Sequence, residues 1–165
     1  MSESARTSET VTGPQRVAEE AAAAMRAADR AARAAGVDLS GVAPGRATAT
    51  MTVGDDHANG HGICHGGYLF LLADAAMAYA SNAHGVSAVA SGADITFLRP
   101  ARTGDVLVAE AVERALAGRS GLYDVTVRIA NGPDGPDGPD GSAGEVVAEF
   151  RGRTRQVPGL APPPA

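Results

Sequence analysis

With 165 residues, 44% of them apolar, the chain can build one buried core and is too short for a second full domain. The formal charge is −5 and all 14 basic residues are arginine. That balance excludes a general nucleic-acid binder, and any grip on a phosphate-bearing ligand must be local. A single cysteine, Cys64, cannot close an internal disulfide, and residues 1–13 lack the apolar stretch of a signal peptide. The longest apolar run, 69–80, is interrupted by Asp74 and falls short of the roughly 20 residues a bilayer span needs. A reducing, cytoplasmic setting with no membrane partner is expected.

Residues 1–13 are polar and aperiodic and read as a disordered leader. The Ala-rich stretch 14–35 opens on Pro14, stops before Gly36, and predicts one continuous helix. Residues 46–53 (RATATMTV) alternate with the period of a strand buried on one face. The pattern then breaks at 54–67 (GDDHANGHGICHGG), an irregular loop holding five glycines and three of the four histidines. Residues 68–83 are apolar nearly all round a helical wheel, so this helix must be wrapped by other elements; Gly85 can end it. Strands are predicted at 86–98, 106–114, 120–130 and 145–155. The repeated Gly-Pro-Asp insert at 132–141 cannot enter a sheet ladder and is expected to be a hairpin tip, and residues 158–165 a disordered tail. One domain over 14–157 results, of α+β class: a curved antiparallel sheet around a long central helix, with a sheet edge left for a second copy.

Asp74 lies in the middle of the most apolar helix, where an unpaired carboxylate costs several kcal/mol in order of magnitude. It either accepts hydrogen bonds from a neighbouring loop or interface, or serves chemistry. The two glycines of HGG favour the second reading. They put Gly66 and Gly67 at the helix start, where N–H groups lack intrahelical partners and the dipole is positive, a natural seat for a developing oxyanion. A carboxylate further along could attack a thioester carbonyl held there or activate water against it. Eight residues separate Gly66 from Asp74, about 12 Å at helical rise, so both cannot reach one carbonyl in a single copy. Asp74 of one subunit facing Gly66 of another resolves this.

The run NGHGICHGGYLFLLADAAMAYASNAHGVSAVA, with DITFLRPARTGDVLVAEA, GRSGLYDVTV and VVAEFRGRTR, resembles the PaaI-type phenylacetyl-CoA thioesterases of the hotdog superfamily over about 14–157. The resemblance implies hydrolysis of a small acyl- or aryl-acetyl-CoA without a cofactor. Asp74 would be the nucleophile or general base, the Gly66 N–H would polarise the carbonyl, and Asn59 and His65 would position water or carbonyl. It further implies homodimers paired into tetramers, with coenzyme A across the subunit interface. Some related enzymes carry a hydroxyl residue one turn after the acid; here that position is Ala78.

Other readings compete. His57, His61 and His65 recur every fourth residue, but the glycines between them oppose the helix that would align metal ligands. Cys64 beside His65 suggests a thiol nucleophile, yet a lone cysteine is more often buried. Ser81, Asn82 and His84 suit capping or interface duty, and Asp94 suits a strand carboxylate facing solvent or an arginine. Arg99, Arg119 and Arg151 could meet the coenzyme A phosphates or form surface ion pairs. Gly67, Tyr68, Met77 and Phe97 could line an acyl pocket; for the last three, core packing explains them equally well. A non-catalytic acyl-CoA-binding module, or a hotdog enoyl-CoA hydratase using His65 with Asp74, remains the alternative.

Overall fold

The computed structural model describes residues 13–130 and 144–160. Helices α1 (Gly13–Ala28) and α2 (Arg30–Ala34) precede strands β1 (Asp38–Ala43) and β2 (Arg46–Thr52). A single 3-10 turn at Asp55–His57 leads through the glycine-rich loop into α3 (Gly66–Asn82). Strands β3 (Ala88–Phe97), β4 (Val106–Ala117), β5 (Ser120–Ile129) and β6 (Glu145–Gln156) complete the chain. The strands form one antiparallel six-stranded sheet in the order β1-β2-β4-β5-β6-β3. β3 follows α3 directly yet pairs with β6 at the far edge, so the helix is carried across one face of the whole sheet. This is the hotdog arrangement expected from the apolar helix and the strands after it.

Small inward side chains let the helix approach the sheet. Ala47 and Ala49 on β2 and Ala109 and Ala111 on β4 are buried beneath it, with Met51, Leu107, Val125, Val127 and Phe150 filling the space around them. From α3 come Leu69, Leu72, Ala73, Ala76, Met77 and Ala80. Each large side chain buried this way stabilises by about 1.5–3 kcal/mol before ordering costs. Met77 lies directly over Gly152 of β6, so closely that a Cβ at Gly152 would overlap its sulfur. At 1% exposure Met77 belongs to the core, so of its two readings the packing one describes its surroundings.

Two expectations require correction. The Ala-rich stretch is not one helix: at Asp29 the backbone turns extended (φ −75°, ψ 95°) and its carboxylate accepts the Ala32 N–H at 2.9 Å, starting α2. Aspartate caps a helix better than it continues one. Strand β1 was not anticipated, because DLSGVA lacks alternation and its register with β2 shifts between Leu39 and Gly41. Elsewhere the boundaries differ by a few residues, with α3 starting two residues early at its His65 cap and β4 running to Ala117. After α3, Gly85 (φ +76°) turns the chain, as its position suggested. A Cβ there would meet Val17 of α1. The Gly-Pro-Asp insert lies outside the described residues, as does most of the leader. Of the tail, Pro158–Leu160 is a turn whose Leu160 carbonyl accepts from the Ser87 hydroxyl.

Candidate active site

The glycine-rich loop is held by its own polar side chains. Asn59 Oδ1 accepts the N–H groups of His61 (2.9 Å) and Ile63 (3.4 Å), closing a tight turn. His57 Nδ1 accepts from Gly54 at 3.0 Å, and its ring leans on Tyr68 with centroids 4.4 Å apart. His65 stands at the N-cap of α3 (φ −63°, ψ 134°), and its Nδ1 accepts the Gly67 N–H at 3.0 Å. The Tyr68 N–H is taken by the His65 carbonyl. The Gly66 N–H, first in the helix, has no acceptor among the described residues. One free donor therefore remains at the positive end of α3.

That donor opens into a cleft of about 510 Å³ lined by Asn59, Ile63, Cys64, Gly66, Leu69 and the 97–101 segment at the end of β3. Phe97, half exposed, stands over Gly66: a Cβ on Gly66 would lie 2.8 Å from its Cζ. A side chain at 66 would displace the ring and crowd the approach to the N–H. With the Asn59 carbonyl oxygen committed to its turn, the amide nitrogen of Asn59 is the end left to donate into the cleft. Arg99 lines the same cleft while paired to Glu145 at 2.6 Å and donating to the Val146 carbonyl.

Asp74 is half buried on α3, two turns beyond Gly66 and absent from the cleft lining. Burial first, and the negative charge of Asp29 second, hold its carboxyl above the ordinary aspartate range. Among the described residues no hydrogen bond offsets this. A carboxylate kept reluctant to ionise is a stronger base once it has ionised, which is what proton abstraction at neutral pH asks for.

The structure brings Asn59, Cys64, Gly66, Phe97 and Arg99 together on one cleft and sets the remaining candidates elsewhere. His65 and Gly67 form the helix cap and Tyr68 packs on His57. Arg151 makes a two-pronged pair with Asp124 (2.7 and 2.9 Å) on the outer sheet face. Arg119 stands on the β4–β5 turn, at the end of the sheet opposite the cleft. Asp94 pairs with Arg153 at 2.7 Å, and Asn82 holds the Ala88 backbone through both ends of its amide. His84 bonds Glu113 at 2.6 Å, which also accepts from the buried Tyr123 hydroxyl. Cys64 is buried, its thiol pushed up to about 11 by burial and by Asp105, far from a thiolate nucleophile. Ile63, Leu98, Pro100 and Ala101 of the cleft escaped the sequence reading. The FLRPA segment after β3 was their only signal, since nothing local shows that it folds back onto the glycine loop.

A helix start with a free N–H, opening into a cleft on the flank of a hotdog sheet, is a geometry suited to polarising a carbonyl, as thioester-handling enzymes must. Comparison with known proteins agrees: the family model described as thioesterase superfamily matches residues 61–135. The acyl-coenzyme A thioesterase PaaI of Escherichia coli K12 is 42% identical over 136 residues, 82% of this chain and 89% of that protein. The solved structure of the E. coli PaaI protein from the phenylacetic acid degradation operon superposes with a TM-score of 0.79. It is 39% identical, with 88% of this chain and 96% of that one covered. A mutant of the phenylacetic acid degradation protein PaaI from Thermus thermophilus gives 0.68 at 35% identity, covering 78% and 100% of the two chains. The chain belongs to the thioesterase superfamily, among its PaaI-type enzymes, and is a thioester hydrolase. Among the described residues, no helix is long and apolar enough to cross a membrane.

Proposed function

We propose that the chain hydrolyses the thioester of a small acyl- or aryl-acetyl-CoA of the phenylacetyl type, at a site two copies of the chain build together. The observation that carries this is the Gly66 N–H, without an acceptor among the described residues, in its cleft, with a base of suitable character, Asp74, about 12 Å away along the same helix. The Gly66 N–H donates to the thioester carbonyl oxygen. Asp74 of the second copy takes a proton from water, whose oxygen attacks the carbonyl carbon, and the oxyanion forms against Gly66. When the C–S bond breaks, the proton on Asp74 passes to the departing coenzyme A sulfur, leaving free acid and thiol. Attack by Asp74 itself would give a mixed anhydride that water then opens; the residues and the products are the same. The Asn59 amide nitrogen holds the water or the carbonyl, and Arg99 meets the coenzyme A phosphates after exchanging Glu145 for them.

The need for a second copy is supported by β3. It is an edge strand, exposed on both faces over most of its length, with Val89 and Phe97 uncovered. An open, apolar edge of this length invites another strand. The PaaI-type relatives support coenzyme A thioesters as substrates and phenylacetyl as the acyl class. A hydratase would need an imidazole free to act beside the acid, whereas His65 Nδ1 is taken up by the Gly67 N–H.

Thiol release from a panel of acyl-CoA thioesters, varied in chain length and aromaticity, tests the reaction; arylacetyl-CoA is expected to turn over fastest. Binding of acyl-CoA without thiol release from any of them would leave only the binding-module reading. Mixing inactive Asp74→Asn chains with inactive cleft variants tests the shared site, since each mixed dimer should regain one intact site. No recovery in verified mixed dimers would place both groups in one copy.

A further inference from the structure

We propose that the Phe97 ring selects substrates at the carbon next to the thioester carbonyl. Straight-chain and arylmethyl acyl groups, which carry two hydrogens on that carbon, are accepted, and α-branched acyl groups are refused. This rests on the reading of the Gly66 N–H as the donor to the carbonyl, and adds the feature of the acyl group that the chain reads.

The position of the ring is fixed by backbone on both sides of it. Side chains alternate along β3, and Phe97 falls on the same face as Ala93 and Ile95, which pack against the core. Phe97 pairs with Ala148 of β6, and the next N–H, that of Leu98, is held by the Val147 carbonyl at 2.8 Å. Across the cleft the Cys64 N–H bonds the Ala101 carbonyl at 2.8 Å. The segment that carries the ring and the loop that leads into α3 are therefore tied together, and main-chain bonds set the spacing between Phe97 and Gly66.

At that spacing the ring meets Gly66 end on. A Cβ at Gly66 would lie 2.8 Å from Phe97 Cζ and 3.2 and 3.3 Å from the two Cε atoms. A Cβ is two bonds from the amide nitrogen, so the ring tip stands beside the path by which an acceptor reaches the N–H. An oxygen accepting that N–H sits about 2.9 Å from the nitrogen, and its carbonyl carbon about 4 Å away. The first carbon of the acyl chain then comes into contact with the tip, where a hydrogen fits and a methyl does not. Beyond the tip the cleft of about 510 Å³ continues along Ile63, Leu69, Leu98 and Pro100, apolar side chains that receive a phenyl or alkyl group with little demand on its shape. Phe97 itself is 52% exposed, so the core does not account for it. One methyl pressed against an apolar wall is worth roughly 10–200-fold in kcat/KM.

The test uses the full-length chain and two pairs of thioesters that differ by an α-methyl group: phenylacetyl-CoA with α-methylphenylacetyl-CoA, and propanoyl-CoA with isobutanoyl-CoA. Thiol release gives kcat/KM for each, and the ratio of unbranched to branched is compared among the parent, Phe97→Leu and Phe97→Ala. Comparing one ratio across proteins cancels the intrinsic reactivity of the thioesters. Phe97→Leu keeps an apolar side chain on the strand while removing the ring tip, so the test stands if the alanine variant fails to fold. The parent ratio should be roughly 10–200, and in the variants it should fall toward one because the branched substrates gain about 10-fold or more. A parent ratio no larger than hydroxide gives with the same thioesters in solution overturns the inference. So does a ratio unchanged in the variants, or one that falls only through loss of the unbranched substrate. Failure of the donor reading shows separately, as a Gly66→Pro chain that turns over phenylacetyl-CoA as fast as Gly66→Ala.

Discussion

His65 takes the N–H of Gly67 into its ring at 3.0 Å, and in doing so leaves the preceding N–H, that of Gly66, as the one aimed outward from the start of α3. The cap thus selects which donor is free. Removing the imidazole in His65→Ala should cost about 1 kcal/mol, within the range for lost N-caps, while His65→Asn should restore most of it. Chemical denaturation of the three proteins checks this. Turnover should fall less in either variant than on loss of Asp74.

Gly66 can be interrogated with unusual selectivity. Proline is favoured at the first helical position, and His65 already holds the extended backbone that a following proline demands. Gly66→Pro therefore deletes the N–H with little cost to the helix, whereas Gly66→Ala keeps it; both displace the Phe97 ring. Comparing kcat in the two isolates the donor. Proline should be slower than alanine by roughly 10²–10³, the usual loss for one oxyanion donor.

Asp74→Ala should lower turnover by roughly 10²–10⁴, the span for loss of a general base, with the fold retained. Because burial and Asp29 hold the folded-state value above the unfolded one, ionisation of Asp74 opposes folding. Asp74→Asn, which mimics the protonated acid, should be more stable than the parent at neutral pH. The difference should shrink as pH falls through the raised value and vanish below the unfolded-state value. Thermal melts of both proteins across that window read the sign directly.

Gly152 leaves room for the Met77 thioether, so Gly152→Ala forces two buried groups into one space. Overpacking of this kind costs about 1–3 kcal/mol. Met77→Ala in the same chain should recover part of the loss, and urea titration of the single and double variants measures the coupling.

Cys64 should resist alkylation in the folded protein near pH 8, since its thiol stays protonated until about 11. Cys64→Ala should retain most of the turnover. Rapid labelling that abolished thiol release would return the cysteine to the mechanism.

The central helix, the glycine loop and the four later strands are legible because each follows from short-range pattern: unbroken apolarity, clustered glycine, or alternation. The break at Asp29 had a signal, a capping residue inside AADRAARAA, that the alanine propensity around it concealed. β1 had none, being an edge strand that pairs through its backbone and needs little from its side chains. Gly66, Asp74 and Asn59 stood out as residues out of keeping with their surroundings. What could not be read was pairing at long range: Arg151 with Asp124 and Arg99 with Glu145 depend on strand register and chain packing that no local motif encodes.

The open margin of β3 has a meaning for the chain's life as a newly made polypeptide. A newly made copy carries unpaired amides flanked by Val89 and Phe97, a template on which any extended polypeptide could nucleate a deposit. Gly92 and the charged Asp94, tied to Arg153, interrupt that margin midway and keep it from being uniformly adhesive. Substitutions at 91–94 should reveal themselves first in the yield of soluble protein.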